Sequence, residues 1–376
     1  MQKKPELAVI TKTPEEMGDY IALLFRVDSN VSALAVLKVI KGADLLAIER
    51  KPEGILITFF SYFDMFKIWM RIRDGVSIEN VMVVPEPQTS SISQADRKRA
   101  YLAHAAGGTR SVSLSGLEDF MTGEFLSEEA EKFGEIEALK YLRDRHCCYI
   151  EFFSFFAAMQ FASSIREDSL FEKVRVAFGR DMCGAGETDG VISHNRTVYF
   201  GSLPVDVTAS EILAVVQGGA VIGLKVIREK KCAFVTFFDY VAANAFIEYS
   251  NLYPPVIRGV QVKIGPGKVQ PIIPAIPIFA YAGVTRTLSL RPTNNIAPAT
   301  IESVLSKYGE VDRVQREEEG VFSVAMVNLV DAQAAYSGLE QDPHWCTALN
   351  GFAPDTCATP SHHTLLMKVQ QREFAL

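Results

Sequence analysis

The sequence predicts an α+β fold, one split βαβ unit (strand–helix–strand–strand–helix–strand) repeated four times along 376 residues. The first of three supporting observations is a recurring β-branched and aromatic strand that turns directly into an Ala- and Phe-rich helix. Its copies are Ile57-Thr58-Phe59-Phe60-Ser61-Tyr62, Ile150-Glu151-Phe152-Phe153-Ser154-Phe155, Val235-Thr236-Phe237-Phe238-Asp239-Tyr240 and, less sharply, Val324-Ala325-Met326-Val327-Asn328-Leu329. Second, the copies recur at intervals of roughly 90 residues, one small domain with its connection. Third, each copy keeps the same neighbours, an apolar strand, a helix and a second strand before it, a helix and a last strand after it.

Individual elements follow from spacing. Phe125, Ala130 and Phe133 lie at helical intervals that stop at Gly134, and a strand over 136–141 follows. Ile301, Val304, Leu305 and Tyr308 form a second such stripe, ended by Gly309. The last strands are expected at 81–84, 173–178, 261–264 and 364–369. The resulting ferredoxin-like domains span 18–86, 109–181, 195–268 and 285–372, each a four-stranded antiparallel sheet with two helices on one face and the other face open. Residues 86–109, rich in Ser, Gln and Gly, and 180–194, with Gly184, Gly186 and Gly190, read as linkers. Residues 266–284 are apolar and carry Pro266, Pro271, Pro274 and Pro277, which predicts an extended segment lying on a neighbouring surface and fixing the third and fourth domains together.

Composition narrows the function. Apolar residues at 48% and charged residues at 22% describe a folded chain. The longest apolar stretch, 55–72, is interrupted by Asp64 and Lys67 and reads as a strand running into a helix, so no membrane partner is expected. No leader of the secretory type opens the sequence, and six cysteines point to a reducing compartment. A net charge of −7 argues against coating nucleic acid by charge alone, so any such binding must be local.

The third repeat concentrates the relevant residues. In Val198-Tyr199-Phe200-Gly201-Ser202-Leu203 an aromatic ring sits between aliphatics on a first strand. In Lys230-Lys231-Cys232-Ala233-Phe234-Val235-Thr236-Phe237, strand alternation sends Ala233, Val235 and Phe237 inward and Lys230, Cys232, Phe234 and Thr236 outward. Tyr199 and Phe234 thus share the open face. As a platform, two rings stack unpaired bases at about 1–3 kcal/mol each; the plainer reading is two core aromatics. Lys225, Lys230 and Lys268 surround them.

These two runs resemble the first- and third-strand motifs of RNA-recognition-motif (RRM) domains. Over the wider runs Asn195–Pro204 and Lys230–Asp239, with the closing Lys263-Ile264-Gly265-Pro266-Gly267-Lys268, the chain resembles fungal four-RRM mRNA-binding proteins of the negative-regulator-of-differentiation type. Ser202 stands where that group usually has Asn, and Pro266 where it tends to have an aromatic residue. The resemblance implies sequence-selective binding of single-stranded mRNA, control of its stability or translation, and a cytoplasmic location, with a nuclear one as the alternative.

The other domains have poorer faces. The stacking positions are Ala22 and Leu56 in the first, Ser113 and Tyr149 in the second, and Ser289 and Ser323 in the fourth. In the second, Arg145 leads the third strand and Phe178 closes the last, so it reads as a helper. Lys and Arg number 8 against 5 acids over 196–268, 9 against 14 over 110–181, and 7 against 11 over 285–376. Only the third domain is positive. The first domain's aliphatic face is expected to pack on its own linker or a protein partner. A scaffold whose degenerate domains dock proteins is therefore the alternative function.

The remaining clusters read blandly. Cys147, Cys148 and Cys232 read as strand packing. His344, Cys346, Cys357, His362 and His363 lack the close pairing of a zinc site, so no metal or other cofactor is expected. Glu317-Glu318-Glu319 reads as a solvated turn and Arg97-Lys98-Arg99 as a helix surface. No phosphate-cradling glycine loop, nucleophile elbow or paired-His motif is present, and the chain is expected not to be an enzyme.

Overall fold

The computed structural model describes residues 20–181, 183, 195–269, 273–292 and 296–373. It contains four four-stranded antiparallel sheets, and every one has the strand order 2-3-1-4 of a split βαβ unit. In the first domain the strands are Ala22–Phe25, Leu45–Lys51, Gly54–Phe59 and Glu86–Gln88, with helices Ala33–Leu37 and Tyr62–Ile72. The second has Ser111–Ser115, Ile136–Leu142, Cys147–Phe152 and Arg175–Phe178, with helices Gly123–Glu131 and Phe155–Glu167. The third has Thr197–Gly201, Val221–Ile227, Cys232–Phe237 and Lys263–Pro266, with helices Ala209–Leu213 and Tyr240–Leu252. The fourth has Thr287–Leu290, Val311–Arg316, Phe322–Met326 and Leu349–Ala353, with helices Pro298–Leu305 and Leu329–Gln341.

Local chemistry starts these helices where the strands end. Ser61 Oγ accepts from the backbone N–H of Asp64, Thr122 Oγ1 from Phe125, and Asp239 Oδ1 from Val241. Thr208 and Glu211 form a reciprocal capping box. Alternate strand residues then fill the cores: Val198, Phe200, Ala233, Val235 and Phe237 are fully buried under the third domain's helices.

Several strand positions differ from the spacing-based reading. Residues 81–84 do not close the first sheet. Glu79 and Asn80 take positive φ (49° and 68°), turning Val76–Ile78 back on Val81–Val83 as a small hairpin, and Glu86–Gln88 is the sheet strand. The third domain repeats this with Val256–Ile257 and Val260–Gln261 around Arg258 and Gly259, so its closing strand shifts to Lys263–Pro266. Residues 364–369 form no strand. Leu365 and Val369 are buried four residues apart, the spacing of a helix face, and lie in the helix His362–Glu373. That helix packs on the third domain: Leu365 joins the third domain's core, and Arg372 Nη1 donates to the Leu252 carbonyl at 2.8 Å. The split βαβ unit of the fourth domain therefore ends at Leu349–Ala353.

The connections are also more ordered than their composition suggests. Residues 86–109 hold the helix Gln94–Ala105, capped by Ser93, and Arg97, Lys98 and Arg99 belong to it. Residues 266–284 contain the helix Ala275–Tyr281 in place of an extended segment. Most of 180–194 lies outside the described residues.

The chain divides into two compact units, Met1–Val191 and Ile192–Leu376, so the domains are paired. Both pairs are closed by the same buried device. Arg286, fully buried, precedes the fourth domain's first strand; its Nε and Nη2 donate to Asp355 at 3.1 and 2.8 Å, and Nη1 donates to the Met326 carbonyl at 2.7 Å. Asp312 lies 3.7 Å from Nη1. In the first unit Arg110 donates through Nε and Nη2 to Asp181, both at 2.8 Å, and through Nη1 to the Phe152 carbonyl and Glu137. Each aspartate also accepts the N–H of a cysteine two residues on, Cys183 or Cys357. Those cysteine carbonyls accept from Gly42 and Gly219 of the preceding domain at 2.9 and 3.1 Å. Asp355 Oδ2 additionally accepts from Val221 N of the third domain's second strand. Burial pushes the Cys183 thiol up to about 12 and raises the Cys357 thiol likewise, so both stay protonated.

The first unit carries a second link. His104, on the helix Gln94–Ala105, stacks on Phe60 with ring centroids 4.2 Å apart and places Nε2 3.3 Å from Asp44. Burial lowers its pKa, but Asp44, the Gly108 carbonyl and Asp64 outweigh it and hold the pKa above the usual 6.5.

Two outcomes follow. Arg286→Met strands the Asp355 and Asp312 carboxylates and is expected to cost about 3–5 kcal/mol in urea unfolding of the full chain. An unchanged midpoint in Arg286→Met would contradict the clasp. Because the folded pKa of His104 is raised, its stabilisation is complete below its unfolded value of about 6.5 and fades as pH rises through the folded value. Urea midpoints measured from acid to alkaline pH should show a decline in the wild type that His104→Gln flattens; identical slopes would contradict the assignment.

Candidate nucleic-acid interface

Antiparallel pairing places cross-strand partners on one face, so the registers give equivalent positions in all four sheets. In the third domain Lys225, Phe234 and Tyr199 lie in one row across three strands, and Tyr199 pairs onward with Gly265. The Tyr199 and Phe234 rings are half-buried, with centroids 5.6 Å apart and planes tilted by 56°. Their neighbours Phe200, Ala233 and Val235 are fully buried on the opposite face, so the two rings lie outside the core.

Cations flank the rings on both sides. Lys225 is exposed opposite Phe234, and Lys263 is exposed opposite Gly201 on the fourth strand. Lys263 was not predicted as a site residue; its signal is two-residue alternation from Gly265. Lys230 is exposed in the turn Arg228–Lys230, beyond the end of the third strand. Lys268 is exposed just past the fourth strand, where Gly267 N donates to the Thr197 carbonyl. Cys232 differs from its outward expectation: Leu203 N donates to the Lys231 carbonyl, folding the loop after the first strand beside it, and Cys232 is buried.

Gly201 gives the Tyr199 ring its room. A Cβ there would lie 2.7 Å from the ring's Cε1 and hydroxyl. The obstructing atoms belong to the tip of a side chain, so an added methyl moves the ring and not the strand.

The second domain presents a partial version. Lys140, Tyr149 and Ser113 form the matching row, with Arg175 opposite Ser115. Tyr149 is 39% exposed, and Lys140 and Arg175, neither singled out from sequence, are exposed beside it. Arg145 sits in the exposed turn Arg143–Arg145. Phe178 is a correction: it pairs with Val112, which is fully buried, so it lies on the helix side of the sheet and away from Tyr149. Glu151 occupies the open face; burial, then Glu137 and Asp181, raise its carboxyl pKa.

The outer domains reverse these features. In the first, Leu24 and not Ala22 stands opposite Leu56, and Glu49 occupies the position of Lys225. Leu24 is buried, while the His104 ring of the linker helix stacks on Phe60 at the end of the same face. In the fourth the row is Gln315, Ser323, Ser289 and Gly351. Among the described residues no group of three or more His, Cys, Asp or Glu is arranged to hold a metal, and no helix is long and apolar enough to cross a membrane.

The chain therefore folds as four tandem split βαβ domains, in which one sheet carries a paired-ring, cation-flanked face. Sequence comparison places similar proteins in yeasts. RNA-binding protein MRN1 of Saccharomyces cerevisiae is 23% identical over 392 aligned residues, covering 78% of this chain and 64% of its own length. The Meiotically up-regulated gene 24 protein of Schizosaccharomyces pombe is 25% identical over 382, covering 91% and 57%. RNA-binding protein NAB6 of S. cerevisiae is 35% identical over 95 residues, 25% of this chain and 8% of that protein. The chain spans about three-fifths of the length of the first two relatives. No family model matches it. Among solved structures, Sex-lethal RNA recognition domains 1 and 2 from Drosophila melanogaster align at 14% identity with a TM-score of 0.28, over 42% of this chain and all of that one.

Gly201→Ala is expected to displace the Tyr199 ring resonances in NMR spectra while changing stability by less than about 1 kcal/mol, since Gly→Ala also reduces unfolded-state entropy. Unmoved Tyr199 resonances would show that the ring does not rest on Gly201.

Proposed function

We propose that this chain binds single-stranded RNA, specifically mRNA, through the open face of the third domain, with the second domain assisting. The row of Lys225, Phe234 and Tyr199, with Lys263 beside it, carries the reading. Unstacked bases lie on exposed aromatic rings, and each phosphate is met by a flanking cation. Tyr149 with Lys140 and Arg175 offers the second domain one stacking position. Two of the yeast relatives, MRN1 and NAB6, are RNA-binding proteins, which supports the same partner.

In this reading the protein is not an enzyme; it acts on mRNA stability or translation in the cytoplasm. A chain with a net charge of −7 is poorly suited to coating nucleic acid, whereas one local cationic face suits selective contact. The scaffold alternative drew its motivation from the aliphatic face of the first domain. With Leu24 buried and Phe60 under His104, much of that face is occupied by the chain itself, which favours the RNA reading.

Fluorescence anisotropy of the full chain with a pool of short single-stranded RNAs tests this. Tyr199→Ala/Phe234→Ala is expected to lose about 2 kcal/mol or more, roughly 30-fold, as removal of stacking requires. Lys225→Ala and Lys263→Ala should each reduce the salt slope by about 1. Equal binding by the wild type and the ring double mutant sinks the proposal.

A further inference from the structure

The ring pair does not stand at the edge of a flat surface. Beside Phe234 and Lys225, within the second unit, lies a cavity of about 550 Å³. One wall is the third domain's second and third strands, including Ile227 and Thr236. Another is Ile273 and Ile276, in and just before the helix Ala275–Tyr281, and the third is Val330 and Asp331 at the start of the fourth domain's helix Leu329–Gln341. The fourth domain reaches this position by close backbone approach. Asn328 Oδ1 accepts from Leu224 N at 3.3 Å, and a Cβ on Gly223 would lie 2.5 Å from that oxygen. The first unit has an equivalent bridge, Ile48 N to the Phe153 carbonyl at 3.0 Å, but Glu49 stands there where the second unit has Lys225. In the second unit the cavity lies beside the bridge.

We propose that this cavity receives a further nucleotide of the same RNA strand, a base bearing an exocyclic amino group, so that the fourth domain selects a base although its own sheet has no aromatic residue in the stacking row. The inference rests on the third-domain reading above, because Phe234 and Lys225 belong to both surfaces. Ile276, Val330 and Ile227 supply apolar walls for the faces of a base, and Lys225 at the rim meets its phosphate. Asp331 supplies the polar contact. One of its carboxylate oxygens accepts from Asn328 Nδ2 at 3.0 Å, and among the described residues no donor engages the other. A carboxylate accepts from the exocyclic amino group of cytosine, adenine or guanine, whereas uracil has none and offers carbonyl oxygens on either side of its single ring N–H. The volume is in the range of small-ligand sites, about 300–1,000 Å³, and exceeds what one base fills.

The test uses the full chain, with labelled trinucleotides and octanucleotides of cytosine, adenine or uracil, read by anisotropy. Val330→Trp fills the cavity from an exposed position and is expected to weaken octanucleotide binding by about tenfold, the order of one lost base contact, while trinucleotide affinity holds. Asp331→Ala is expected to erase the preference for cytosine or adenine octanucleotides over uracil. If both variants bind every octanucleotide as the wild type does while Tyr199→Ala/Phe234→Ala weakens binding, the cavity proposal is overturned and the platform stands. If the ring double mutant binds normally, the platform reading fails and this one falls with it.

Discussion

Each pair of domains is built around a guanidinium that cannot reach water. Arg286 and Arg110 sit at the seam between one domain and the next, and each is held by a bidentate aspartate from just beyond the same domain's fourth strand. A buried charge of this kind is costly unless every donor is answered. Here the guanidinium's own acceptors all come from the domain it opens, and the preceding domain joins one step out. The aspartate organises the following cysteine, the cysteine carbonyl takes an N–H from the preceding domain, and in the second unit Asp355 also takes Val221 N. The cysteine carbonyl and, in the second unit, the second bond of Asp355 are therefore satisfied only when the two domains are docked. That docking aligns the fourth domain's second helix with the edge of the third domain's sheet, and so decides what lies next to the ring pair.

The same docking serves opposite ends in the two units. In the first, the connecting helix lays His104 on Phe60, and the face below carries leucines and Glu49 where the third domain has rings and Lys225. In the second, the connecting helix Ala275–Tyr281 stops beside the sheet and leaves Tyr199 and Phe234 half-exposed. One scaffold thus yields a covered face and an open one through the residues on a single row of the sheet and the length of a single helix.

The four-fold repeat was legible in the sequence because the first three core strands run into their helices with an aromatic signature, and the fourth keeps the apolar pattern at the same spacing. Tyr199, Phe234 and Lys225 were legible because alternation fixes their face once the strand is known. The last strands were not: 364–369 has apolar residues that fit a strand as well as a helix, and only the place of Leu365 in the third domain's core, with Val369 buried four residues on, decides between them. Phe178 was misplaced because its face depends on pairing register with Val112, which one strand alone does not reveal. Lys263, Lys140 and Arg175 were overlooked for the same reason. The Arg–Asp clasps join residues about 70 positions apart, and no local pattern marks them. Once the clasps are known, the sequence is seen to repeat Thr-Arg before a strand and Asp-x-Cys after the last one, at 109–110 with 181–183 and at 285–286 with 355–357.

The central claim is that, of the four sheet faces, the third is the principal one offered to RNA. Hydrogen–deuterium exchange of the full chain with and without a short single-stranded RNA addresses it directly. The account predicts RNA-dependent protection in Thr197–Gly201 and Cys232–Phe237, weaker protection in Cys147–Phe152, and none in Ala22–Phe25 or Thr287–Leu290. Equal protection in all four first strands, or protection confined to the first or fourth domain, would contradict it.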